Sequence, residues 1–155
     1  MNIFFLDKNP NVAARKQCDK HVVKMVLETA QMLSTAARRH GKDLGYKSAY
    51  PNHPMTLWVG DNLDNYVWTV EHGIALSIQY TTRFGKTHKS ESVIRELDVF
   101  WGDSSKITTP PLCMPDEFKQ DDFVKAYKKY YVHKLSSWKI PPRWRLHEPD
   151  GIAVC

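Results

Sequence analysis

Residues 18–39, CDKHVVKMVLETAQMLSTAARR, decide how this chain is read. They carry the period of one amphipathic helix from Cys18 to Arg39. Asp19 stands where a cap is needed, because a carboxylate accepts from first-turn backbone N–H groups that lack partners. Gly41 follows the end, where a left-handed residue closes a helix without steric cost. At about 100° per residue, Val22, Val23, Val26, Leu27, Ala30, Leu33 and Ala37 fall on one broad arc, the expected core face.

His21, Lys24, Glu28, Gln31 and Thr35 form a second arc, within roughly 80° of each other. Met25 and Met32 flank this polar line on one side, and Leu27 and the core on the other. A polar stripe with apolar neighbours on both sides points to a cleft wall. The alternative is an ordinary solvated face with a Lys24–Glu28 helical ion pair. His21 and Glu28 stand two turns apart with Lys24 between them. A base, an acid and an amine on one wall suffice for general acid–base chemistry.

The chain of 155 residues is sized for one domain, 1–155, with a real core. No run reaches the ~20 apolar residues of a membrane span, and MNIFFLDKNP lacks the basic n-region of a signal peptide. The expectation is an intracellular protein that makes no membrane contact and acts as a monomer. Cys18, Cys113 and Cys155 are widely spaced with no CxxC pair, which argues against a disulfide framework or a cysteine zinc site. A net charge of +5 favours an anionic partner such as nucleic acid or a phosphorylated substrate. Trp and Tyr interleaved with Lys and Arg suit base stacking with phosphate contact, although an aromatic core explains them equally.

Before the central helix, MNIFFL (1–6) reads as a buried strand or an extended segment laid across helices. Asn9-Pro10 starts a short helix over 10–17, with Asn as cap and Pro at the first position. After it, 42–54 is a loop in which Asn52-His53-Pro54 forms a corner able to reach into a site. A short helix over 55–59 has Trp58 buried, and Asp61 is read as the cap of a helix over 62–83. Gly73 in that helix would allow close packing on the central one, and Gly85 ends it. Arg83, Lys86, His88 and Lys89 surround this glycine. They either offset the helix dipole or contact phosphates. GKTHKS is not a phosphate-binding P-loop, because no glycine lies five residues before Gly85. Helices are predicted over 90–100, with Val93, Ile94, Leu97, Val99 and Phe100 inward, and over 116–134. Lys125, Lys128, Lys129 and His133 lie outward on the latter. The Pro-rich tail from Trp138, with Arg143, Trp144 and Arg145, reads as irregular. The expected fold is all-α.

The Asp-x-His-x6-Glu pattern, Asp19-Lys20-His21 with Glu28, resembles the phage pyrimidine-dimer DNA glycosylases of the endonuclease V type. So do the apolar start, the second long helix, the element Pro115, Glu117, Phe118, Lys119, and the Trp- and Pro-containing tail from Trp138 to Trp144. The resemblance implies Glu28 as catalytic carboxylate and His21 as site histidine. It also implies an N-terminal α-amine as nucleophile, here that of Met1 because Asn2 disfavours its removal, with Lys24 as a substitute. The implied partner is damaged or modified double-stranded DNA, and no cofactor or metal is implied. The family's arginines beside its Glu are absent: Leu27 precedes Glu28 and neutral residues follow from Thr29 to Ala37. Asn52, His53, Arg83, Lys86, His88, Lys89, Lys129 and Arg143 are the candidate nucleic-acid contacts instead. A non-catalytic nucleic-acid-binding protein is the competing reading. A metal enzyme built on His21, His53, His88 and Glu28 matches no standard ligand spacing.

Overall fold

In the computed structural model, which describes residues 1–145, the central stretch is a helix over Asp19–Arg39 and the other elements are laid against it. In chain order the helices are α1 (Pro10–Arg15), α2 (Asp19–Arg39), α3 (Pro54–Asp61), α4 (Leu63–Phe84), α5 (Glu91–Glu96) and α6 (Phe123–Ser136). A 3-10 turn at Asp116–Phe118 precedes α6. No strand occurs among the described residues, and the fold is all-α. The tail beyond residue 145, with Cys155, lies outside the described residues. No helix among those described is long and apolar enough to cross a membrane.

α2 packs against α3, α4 and α5, and α1 packs on α4. Its buried arc differs from the one the period predicts. Val22, Val26, Ala30, Leu33 and Ala37 are buried, but Val23 and Leu27 are each 41% exposed. Met25, Thr29 and Met32 are buried instead, Thr29 under Gly73 of α4 and Met25 on the side of the N-terminal segment. Gly73 makes that close contact possible: an added Cβ would lie 3.0 Å from Thr29 Cγ2 and 3.1 Å from Ile94 Cδ1. From Met32 to Ala37 every residue is buried, since α3 and the following loop close over this end.

The local signals acted in part as read. Asn9 caps α1, its side chain accepting from Asn11 and Val12 N–H, with Pro10 at the first position. Gly85 ends α4 at φ +70. Asp19 does not cap α2: Cys18 holds that position without a side-chain bond, and the Asp19 carboxylate turns to Arg83. Asn62, not Asp61, caps α4 by accepting from Asn65 N–H, while Asp61 pairs with Arg39. The helix predicted over 90–100 stops at Glu96, because the Tyr66 hydroxyl donates to Leu97 O at 2.6 Å and holds the chain out of helical register. Phe100 is left 71% exposed. The helix predicted over 116–134 is interrupted before Phe123. Asp122 accepts from Lys125 N–H there and starts a new helix.

Residues 3–6 form no strand. They pass through the core, turning at Phe5 where Leu6 N–H donates to Phe4 O at 2.9 Å, with Ile3, Phe4, Phe5 and Leu6 all buried. Phe5 meets Trp58, Trp68, Phe123 and Tyr127. Each such large apolar side chain contributes about 1.5–3 kcal/mol on burial, so this short segment is anchored firmly. That anchoring fixes where Met1 stands.

Candidate active site

Phe4 stacks on His21 of α2 with ring centroids 4.8 Å apart. Toward the chain start, Asn2 is held by a bond from its Nδ2 to Cys113 O (3.1 Å), and its Oδ1 accepts from Ile3 N–H (2.8 Å). These contacts set the Met1 α-amino nitrogen 3.6 Å from Glu28 Oε1. The pair stands in a cleft of about 650 Å³, within the size range of small-molecule and cofactor pockets. His21, Lys24 and Glu28 of α2 form one wall, and His53 and Pro54 another. Leu112, Cys113 and Met114 together with Tyr130 and Lys134 of α6 close the remainder. The stripe read from the sequence is therefore a cleft wall for its first three members. Thr35 is buried elsewhere, binding the backbone of Ala49.

His21 is 4% exposed. Its Nδ1 lies 2.8 Å from the Tyr131 hydroxyl, which itself accepts from Cys18 N–H at 2.9 Å. The Tyr131 hydroxyl thus bridges the Cys18 backbone and the His21 ring. Burial, reinforced by the charges of Lys134, Lys24 and Lys20, lowers the His21 pKa to about 3. At neutral pH the ring is an uncharged hydrogen-bond donor and not an imidazolium acid.

His53 is oriented by a different device. It occupies the N-cap of α3, where its Nδ1 accepts from Met55 N–H at 3.1 Å. That bond leaves the proton of the neutral ring on Nε2. Its pKa is lowered first by burial and next by the positive charge of the chain's amino terminus, with the Glu28 carboxylate opposing. His53, Met1 and Glu28 thus face one another across one cleft. An amine beside a carboxylate, flanked by two neutral imidazole donors and rimmed by Lys24 and Lys134, can perform nucleophilic attack with proton transfer.

The other candidate residues separate from this group. Arg83 is corrected: its side chain is fully buried. It donates to Gln17 O (2.8 Å), Arg15 O (2.9 Å) and Asp19 Oδ1 (3.1 Å), tying α4 to the α1–α2 junction. His88 is also engaged internally, 3.0 Å from Val23 O through Nε2 and accepting from Ser90 N–H through Nδ1. Lys86 and Lys89 are exposed. Asn52 is exposed and lines a groove that shares no residue with the cleft. Lys129 is exposed, near Glu117 O. Arg143 lines a separate groove of about 570 Å³ with Lys20, Phe84 and Trp138. There Lys20 Nζ lies 4.9 Å from the Trp138 ring centroid and the Arg145 guanidinium 4.6 Å from that of Phe84. Among the described residues no group of three His, Cys, Asp or Glu side chains is placed to hold a metal.

Sequence reasoning missed Tyr131, Tyr130, Lys134 and the 112–114 wall. Tyr127 and Tyr131 share a face four residues apart, which marks them as core. Nothing local indicates that the hydroxyl of Tyr131 would serve His21. No protein-family model matches this chain, and no curated protein or solved structure matches it.

Proposed function

We propose that the protein is a DNA glycosylase with an associated abasic-site lyase activity, acting on a damaged or modified pyrimidine in double-stranded DNA. The observation that carries this reading is the Met1 α-amino nitrogen standing 3.6 Å from Glu28 Oε1 in an open cleft. A terminal amine held against a carboxylate by a buried segment is a nucleophile with its proton acceptor beside it. The chemistry balances without a cofactor. The ammonium gives one proton to Glu28, its freed lone pair attacks C1′, and the glycosidic bond breaks with its electrons leaving on the base, which takes that proton from Glu28. The amine gives its protons to Glu28 and to the ring oxygen as the sugar opens to an imine. Loss of a C2′ proton then expels the 3′ phosphate, and water releases the sugar from the amine.

His53 suits the part of a neutral donor to sugar or base oxygens, because it carries its proton on Nε2, and His21 is a second uncharged imidazole in the same cleft. Lys24 and Lys134 at the rim suit phosphate contact. Lys24 is also the alternative amine. The test is strand cleavage on duplexes carrying a pyrimidine dimer or an abasic site. Glu28→Gln keeps the side-chain shape and should lower cleavage at least a hundred-fold while duplex affinity stays within about two-fold. Unchanged cleavage would remove Glu28 from the chemistry.

A second reading, plain nucleic-acid binding, is favoured by the groove in which Lys20 and Arg143 stand beside Trp138. Under that reading Glu28→Gln is silent, and loss of Lys86, Lys89 and Lys129 governs all measurable behaviour.

A further inference from the structure

The loop between α2 and α3 is tied down at several points. Tyr46 N–H donates to Ser34 Oγ and Ala49 N–H to Thr35 Oγ1, each at 2.9 Å. Arg38 Nε donates to Tyr46 O, also at 2.9 Å. The loop ends in a turn, Tyr50-Pro51-Asn52-His53, closed by a bond from His53 N–H to Tyr50 O at 3.1 Å. Pro51 occupies the position in which its fixed φ favours such a turn. The last residue of the turn, His53, lines the cleft. The first, Tyr50, is therefore within about 7 Å of it, Cα to Cα.

Tyr50 is unlike its neighbours in two respects. It has φ +47, the one non-glycine residue in the left-handed region among those described. It is also 67% exposed, and its ring joins none of the aromatic pairs. A large aromatic is a poor choice for a left-handed position, which Asn or Gly fills with less strain. Neither the turn nor the core gains from the ring. Strain kept at an exposed aromatic tip beside a cleft is the pattern of a side chain that serves a partner. The groove alongside is lined by Ala36, Pro51 and Leu57 with Arg38 and Arg39, whose guanidinium groups pair with Asp43 and Asp61. Lys47 is exposed on the same loop, where it would meet a phosphate backbone running past the tip.

We propose that Tyr50 is the wedge that enters the DNA stack when the target nucleotide leaves it, its ring taking the place of the extruded base against a neighbouring base. The inference rests on the glycosylase reading for its substrate, but it concerns duplex distortion and not the chemistry. An enzyme that withdraws a base from the helix must fill or hold open the gap. A rigid tip one turn from the reacting groups meets that need.

The test uses the full chain and a duplex in which 2-aminopurine, its glycosidic bond made uncleavable by a 2′-fluoro group, takes the target position, where its emission rises when it leaves the stack. Wild type and Tyr50→Phe should bind and raise the emission alike. Tyr50→Asn, which suits the left-handed backbone, should melt no lower than wild type. It should bind roughly ten- to hundred-fold more weakly, the loss of one stacked base, and give no rise. Its salt dependence should keep the wild-type slope, because no phosphate contact is removed. A wild-type emission change from Tyr50→Asn overturns the proposal. So does a lower melting temperature, which would make the ring a support of the fold. If wild type raises the emission through Tyr50 yet cleaves no lesion, the glycosylase reading fails while the wedge stands. If wild type does not bind the duplex, both fail.

Discussion

Arg83→Met separates a structural arginine from a phosphate-binding one. In the folded protein the guanidinium is removed from solvent and donates to two carbonyls and to Asp19, whose side chain is 15% exposed. Methionine fills similar volume without donors. It would leave Arg15 O and Gln17 O without their partner and Asp19 with only the Arg145 backbone N–H at 2.9 Å and the Arg145 guanidinium at 3.7 Å. Breaking a buried pair from one side typically costs about 3–5 kcal/mol. For a chain of this length that corresponds to a fall of roughly 6–20 °C in melting temperature. Thermal denaturation of wild type, Arg83→Met and Arg83→Lys measures it. Lysine keeps the charge but loses the forked geometry that reaches two carbonyls at once, so it should recover only part of the loss. A melting temperature within 2 °C of wild type by either variant, in the ~±0.5 kcal/mol range of ordinary surface changes, would refute the structural assignment. Weakened DNA binding at unchanged stability would restore the phosphate role.

Acid should destabilise the fold through two buried histidines. His21 is held at about 3 and His72 at about 4, both by burial, against an ordinary 6.5. Below 6.5 the unfolded chain binds protons that the folded one refuses, so stability is full above 6.5 and falls as pH drops toward those lower values. Each histidine costs about 2 kcal/mol by about pH 5; equal urea midpoints at pH 7 and 5 would contradict this. Gly73→Val should destabilise by about 1–3 kcal/mol through overpacking, because the position meets Thr29 and Ile94 at 3.0–3.2 Å for the first carbon alone. His53→Asn should retain the α3 cap, since Asn caps well, and leave the melting temperature within a few degrees while lowering turnover. His53→Ala should lose both, and equal stability of the two variants would remove the capping role.

The helices were legible because their information is local. Asn9-Pro10, the long period of α4 and Gly85 each act within one turn. The errors arose where a distant partner intervened. Asp19 is a good cap in isolation, yet Arg83 takes its carboxylate from 64 positions away. Arg83 in turn reads as a phosphate ligand or a dipole partner because it stands with Lys86, His88 and Lys89 around Gly85, and only the folded chain reveals the carbonyls it binds. The cleft wall at His21, Lys24 and Glu28 was readable as a stripe. Its completion was legible in part: the Asn52-His53-Pro54 corner stands out as a turn, and the Met1 amine follows from the resemblance. Lys134 and the 112–114 wall carry no local signal, and the place of the Met1 amine follows from the burial of Ile3 to Leu6.

The most direct measurement is borohydride reduction of the protein mixed with an abasic-site duplex, followed by peptide mapping. The expected result is a covalent adduct on the Met1 α-amine, absent with Glu28→Gln and absent when the amine is acetylated. An adduct on Lys24 would move the nucleophile along the same cleft wall. No adduct with any of these proteins would contradict the imine chemistry assigned to the Met1–Glu28 pair.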